Sequence, residues 1–168
     1  HNNTSMNNPH VDLPLPKGRY GIGVSWDRGG KTVDIDLQAL VVDKKGSIIE
    51  AVYYNNLKAL KAITHSGDEQ TGDQAGMDEV IWVTLSKLPE HVRLIIFVVA
   101  AYSGGSLRDA RNGMLHVLEE KKDVEVARFQ LEQSEYNVDP VAMLLRTEAG
   151  PWTLRILEVD AVEGRHFI

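Results

Sequence analysis

From residue 19 onward the chain is a succession of short runs rich in Val, Ile, Leu and Tyr, each closed by Gly, Asn, Asp or Lys, and this recurrence leaves little choice of fold. The runs are RYGIGVSW (19–26), TVDIDLQALVV (32–42), GSIIEAVYY (46–54), EVIWVTL (79–85), RLIIFVVAAY (93–102), GMLHVLEE (113–120), VEVARFQL (124–131), VAMLLRTE (141–148) and WTLRILEV (152–159). Their spacing predicts an all-β chain, an antiparallel β-sandwich of two sheets with one or two short helices. DKKG (43–46) and EKKD (120–123) are short polar links between β-prone runs and predict hairpins. LSKLPEHV (85–92) accommodates one helical turn, with Pro89 tolerated near its start, and SLRDARNG (106–113) reads as a second short helix or a loop. Residues 1–16 are read as a disordered tail or a remnant foreign to the domain, which leaves 17–168 as a single domain, and a hydrophobic content of 43% suffices for one core.

Charge narrows the partners. A formal net charge of −6 offers no broad basic surface for phosphates, so nucleic acid is not expected and a cation is. The absence of cysteine excludes disulfides, thiolate metal sites and a cysteine nucleophile, and points to a reducing compartment, the cytoplasm. LIIFVVAAY (94–102) is about half the roughly 20 apolar residues that a spanning helix needs, so it is expected to be a core strand and no membrane insertion is expected.

The negative charge is concentrated. HSGDEQTGDQAGMDEV (65–80) holds five carboxylates and no lysine or arginine, directly before an apolar run. In the 32–42 run, strand alternation puts Val33, Ile35 and Leu37 on one face and Asp34, Asp36 and Gln38 on the other. A solvated outer face is the plain explanation, but Leu40 and Val42 continue the aspartate row and suggest that it turns inward, with the aspartates at the rim of the core. The pool of oxygen donors comprises Asp34, Asp36, Asn55, Asn56, Asp68, Glu69, Thr71, Asp73, Asp78 and Glu79, with loop carbonyls near Gly67 and Gly72. Oxygens of this kind on a glycine-containing loop suit a hard ion, calcium better than magnesium; a solvated acidic loop is the alternative. The stretch is not an EF-hand, because Asp73 stands where that loop, read from Asp68, requires glycine.

Taken together, GVSWD, VDIDLQALVVD, VYYNNLKA, HSGDEQTGDQAGMDEVIWVTLSKLP and LIIFVV resemble the TerD-type domain of bacterial tellurite-resistance and stress-response proteins, over about residues 19–160. The resemblance implies a calcium-binding β-sandwich with no established catalytic activity and a protein-partner role of unknown identity. It places the family's tryptophan-aspartate pair on Trp26 and Asp27, its D-x-D on Asp34 and Asp36, and its paired asparagines on Asn55 and Asn56. In the acidic loop, His65, Gly67, Asp68, Thr71, Gly72, Gly76, Asp78 and Glu79 match. Ala75 and Met77 stand where the family commonly has aspartate, which implies one or two ions, held more weakly or in smaller number. The resulting metal set is Asp27, Asp34, Asp36, Asn55, Asn56, Asp68, Thr71, Asp73, Asp78 and Glu79.

Rival readings are a metal-dependent hydrolase using Asp34, Asp36, Asp78 or Glu79, and a calcium-assisted module for a small ligand or sugar. GGKT (29–32) lacks the first glycine of a phosphate-binding loop, and the serines of YSGGS (102–106) have no assignable base. His65 is expected to hydrogen-bond structurally, His116 to be packed or half exposed, and Trp26, Trp82 and Trp152 to pack in the core. Arg108 and Arg111 are expected to pair with the acidic loop rather than receive an anion.

Overall fold

The computed structural model describes residues 10–27, 34–66, 77–102, 111–121, 124–131, 137–148 and 150–157. Among these described residues there are twelve strands: β1 (Val11–Leu15), β2 (Arg19–Asp27), β3 (Asp34–Asp43), β4 (Ile48–Val52), β5 (Lys58–Ala59), β6 (Ile63–His65), β7 (Glu79–Thr84), β8 (Val92–Tyr102), β9 (Arg111–Glu119), β10 (Val124–Gln130), β11 (Val138–Arg146) and β12 (Trp152–Ile156). They form two six-stranded antiparallel sheets, ordered β1-β12-β11-β8-β3-β4 and β10-β9-β2-β7-β6-β5. The expected sandwich is therefore the observed fold.

The inner faces supply one core. Leu37, Ala39 and Val41 of β3, Ile95, Phe97 and Val99 of β8, Ile22 and Val24 of β2, and Ile81 and Val83 of β7 alternate with outward residues and are almost fully buried. Both hairpins form. Asp43 Oδ1 accepts the N–H groups of Lys45 and Ser47, while Gly46 takes φ +84°, a turn conformation suited to glycine. The helical turn at 85–92 is a single 3-10 turn, Leu85–Lys87.

Three expectations need correction. The tail assigned to 1–16 contains β1, whose register runs from Val11 opposite Ile156 to Leu15 opposite Trp152, because the alternation Val11, Leu13, Leu15 has an open sheet edge to join. Arg111, Asn112 and Gly113 open β9 rather than close a helix, while 106–110 lie outside the described residues. The core-facing row of β3 is Leu37, Ala39 and Val41, so Leu40 and Val42 do not continue an inward row, irregular pairing at Val42 breaking the alternation that suggested it; Asp36 is nonetheless buried, at the edge of the core as expected.

Candidate metal centre

Strand β4 covers β3 only from Ala39 onward, where Val52 stands opposite, so among the described residues the first half of β3 has an open edge. Into this gap come side chains from the other sheet. Glu79 opens β7 in the inward row that continues to Ile81 and Val83, and His65 ends β6 in the row of Ile63. Glu79 Oε1 accepts the Leu37 N–H at 2.7 Å, a donor that β4 would otherwise have satisfied, and lies 2.9 Å from His65 Nε2. One carboxylate thus joins the two sheets.

Asp36 completes the cluster. One donor atom each from Asp36, His65 and Glu79 lies within 4.8 Å of the others. Asp36 is only 3% exposed, and Gln38 donates to its Oδ2 at 3.0 Å, while Oδ1 has no partner among the described residues. Burial, reinforced by the negative charge of Glu79, pushes the Asp36 carboxyl up to about 6 against the opposing Gln38 hydrogen bond and His65. Two ionised carboxylates at the 4.8 Å limit would repel by about 3 to 4 kcal/mol at an effective dielectric of 20. The cluster therefore favours either a proton or a cation.

Of the other expected ligands, Asp78 is adjacent in sequence but pinned to β2: its Oδ2 accepts the Trp26 N–H at 2.9 Å and its N–H donates to Val24. Asn55 and Asn56 form an exposed turn in which Asn56 Nδ2 donates to Ala51 O at 2.6 Å, and neither hydrogen-bonds to the cluster. That turn leads into Leu57, whose carbonyl accepts the His65 N–H. The backbones of Asp27 and Asp34 stand opposite Arg111 and Tyr102 respectively. Asp68, Thr71 and Asp73, like Glu69, Ala75 and Arg108, lie outside the described residues. Met77 contacts the outer-face cluster of Val80, Trp82 and Leu118, with its sulfur over Gly23, so this departure from an acidic residue serves packing.

His65 was missing from the expected ligand set. The structural hydrogen bond expected of it has a geometric counterpart, since its Nε2 lies 2.9 Å from Glu79 Oε1, and the same nitrogen also stands among the three groups that could hold an ion. The tryptophans pack as expected, Trp152 in the main core, Trp26 against it and over Gly113, and Trp82 in the outer cluster.

A second network was invisible in the sequence because its members come from three strands. Ser25 Oγ lies 2.8 Å from His116 Nε2, and His116 Nδ1 bonds to Glu125. The connectivity is that of an acyl-transfer relay, but such a relay also needs N–H donors left over for a developing oxyanion. Ser25 stands opposite Met114 of β9, and the N–H that follows it is taken by Asp78. The network thus ties β2, β9 and β10 together.

The TerD domain family model matches residues 15–158, which include β2 to β12 and the whole cluster. The chain belongs to the TerD family. Tellurium resistance protein TerZ of Serratia marcescens is 33% identical over 138 residues, 82% of this chain and 70% of that protein. Stress response protein SCP2 of Bacillus subtilis is 28% identical, covering 71% of this TerD chain and 73% of its own. A crystal structure of a homologue of telluride resistance protein (TerD) from Streptomyces coelicolor A3(2) superposes with a TM-score of 0.65 over 86% of this chain and 90% of that one. At 20% identity, that likeness shows the fold. The TerD chain is thus a two-sheet member of a family of tellurium-resistance and stress proteins.

Proposed function

We propose that this TerD chain is a non-enzymatic, cytoplasmic, calcium-binding stress-response domain whose acidic end is ordered by the ion and then meets a protein partner. The observation that carries the reading is the buried Asp36 carboxylate, with one oxygen lacking a partner among the described residues, beside Glu79 at the open edge of β3. The donor set fits a hard cation. Asp36 and Glu79 would hold it from one sheet each, His65 would fix the Glu79 rotamer, and the neighbouring acidic loop would supply further oxygens. Bound calcium supplies positive charge that offsets the carboxylate repulsion and so links the sheets at this end. No helix among the described residues is long and apolar enough to cross a membrane.

The relatives' names support a place in stress or tellurium resistance. Isothermal titration of chelator-stripped protein tests the ion site. Saturable calcium binding that disappears in both Asp36→Ala and Glu79→Gln is expected; a parent protein that releases or absorbs no calcium-dependent heat and shows no calcium-dependent thermal shift rejects it.

A further inference from the structure

At the opposite end of the sandwich from the acidic cluster lies a cavity of about 490 Å³, within the usual size range of small-molecule sites. The two ends are joined by β7: Glu79 opens that strand, and Leu85, a cavity residue, follows its last residue. At about 3.3 Å per residue this places them roughly 20 Å apart. Three connections converge to form the walls: the exit of β1 at Leu15 and Lys17, the 3-10 turn with Leu85 and Leu88, and the turn from Arg146 to Trp152 between β11 and β12.

These walls are held by the backbone. Leu85 N–H donates to Gly18 O, Leu88 N–H to Leu85 O, and Thr147 donates to Pro151 O through both its N–H and its hydroxyl. The cavity is preformed, so a ligand need not order it. Leu15, Leu85, Leu88 and Trp152 give it an apolar, buried floor.

Arg146 sits in this lining. Its Nε donates to Val92 O at 3.0 Å and its Nη2 to Pro89 O at 2.9 Å, with Leu88 O at 3.5 Å, and its guanidinium stacks on Trp152 at 4.4 Å. The carbonyls and the ring fix its position without neutralising its charge. No carboxylate forms an ion pair with Arg146 or with Lys17 among the described residues, and Nη1 has no hydrogen-bond partner there. In a chain of net charge −6, a preformed apolar cavity with a fixed guanidinium and a rim lysine is matched to an anion rather than to a cation.

We infer that this cavity is a second ligand site, for a small organic carboxylate: the carboxylate on Arg146 with Lys17 at the rim, and an aliphatic or aryl body over Leu85, Leu88 and Trp152. The inference stands independently of the calcium reading. The test is NMR titration of the full chain with 4-phenylbutyrate, its neutral amide and inorganic phosphate, following the Trp152 indole N–H and the amides of Lys17, Leu85 and Leu88. Saturable shifts with the carboxylate are expected, with the amide weaker by roughly tenfold or more, since a charge-assisted hydrogen bond is lost. Lys17→Glu, on an exposed rim residue whose change leaves the core intact, is expected to weaken binding severalfold, and Arg146→Gln to abolish it. Absence of saturable shifts with 4-phenylbutyrate, amide binding as tight as the acid, phosphate saturating the same signals as tightly, or undiminished affinity in Lys17→Glu would each overturn the inference. The Lys17 variant keeps the test decisive should Arg146→Gln fail to fold.

Discussion

Asp36 is one residue in an otherwise ordinary strand, yet its surroundings assign it opposite effects with and without a cation. Its carboxylate is buried beside Glu79, so with nothing to neutralise it its charge opposes folding, and under the proposed calcium binding the same charge would become a ligand. Asp36→Asn keeps the shape and can still accept the Gln38 hydrogen bond. In chelator it is expected to be more stable than the parent by about 1 to 3 kcal/mol, given a repulsion of a few kcal/mol at this distance. Addition of calcium should then stabilise the parent and leave the variant unmoved, so the order of the two melting temperatures narrows or reverses. A variant destabilised in chelator, measured by urea unfolding, would show that the charge was already satisfied. Sequence alone identified Asp36 and Glu79 as oxygen donors because D-x-D and the acidic run announce themselves. It could not show His65 aligning Glu79, since a lone histidine carries no sign of the carboxylate it will meet across 14 residues of chain.

The elements that escaped sequence reading are those whose turns break the usual chemistry. Strands β5 and β6 have two and three residues, and the link between them places Leu60 at φ +58° and Lys61 at φ +56°. Two consecutive left-handed residues make the hairpin turn normally announced by Asn-Gly, and Leu-Lys gives no such signal. Lys61 is exposed, and each left-handed L-residue costs roughly 1 to 2 kcal/mol, so Lys61→Gly is expected to stabilise the protein by about 1 kcal/mol after the entropy cost of glycine. Thermal denaturation would register this as a rise of a few degrees; a fall would mean that the Lys61 side chain contributes more than its backbone strain. Strand β1 escaped for another reason, lying beside a polar tail. Its edge is clamped by Asp12, whose two oxygens accept Arg155 Nε at 2.9 Å and Nη2 at 3.1 Å. The Arg155 hydrogen bonds hold the Asp12 carboxyl below its usual value of 3.8, so their stabilisation is fully present above that value and drains away as pH falls through the lower folded one. Both partners are well exposed to solvent, and the contribution is expected to stay well under 1 kcal/mol. Asp12→Asn should lower stability slightly at neutral pH, and the difference from the parent should close in strong acid; a gap that persists there would assign the effect to packing.

At the scale of the whole molecule, the two sheets are joined differently at their two ends. Hydrophobic alternation made the sandwich legible in advance, because every inward row is a repeat of two written into the chain. The convergence of β3, β6 and β7 was only partly legible: the donors could be named, but the gap that admits Glu79 exists because β4 stops opposite Ala39, a fact of sheet register rather than of local sequence. One end therefore joins the sheets through carboxylates and a backbone N–H, and the other through Leu15, Leu85, Leu88 and Trp152, with Arg146 stacked on the ring. Polar closure depends on what neutralises it, whereas apolar closure does not. Calcium added to chelator-stripped protein is accordingly expected to slow amide exchange at 34–38, 63–66 and 77–80, where the acidic cluster holds the sheets, and to leave 85–92 and 146–152 near their original rates. The Leu37 amide is the sharpest reporter, since its acceptor is the Glu79 carboxylate itself and the ion would fix that carboxylate in place. Exchange measured by mass spectrometry on peptides from both ends separates local closure from general stabilisation. Uniform slowing at both ends would mean that the ion acts on global unfolding, and protection absent from the Leu37 peptide would remove Glu79 from the site.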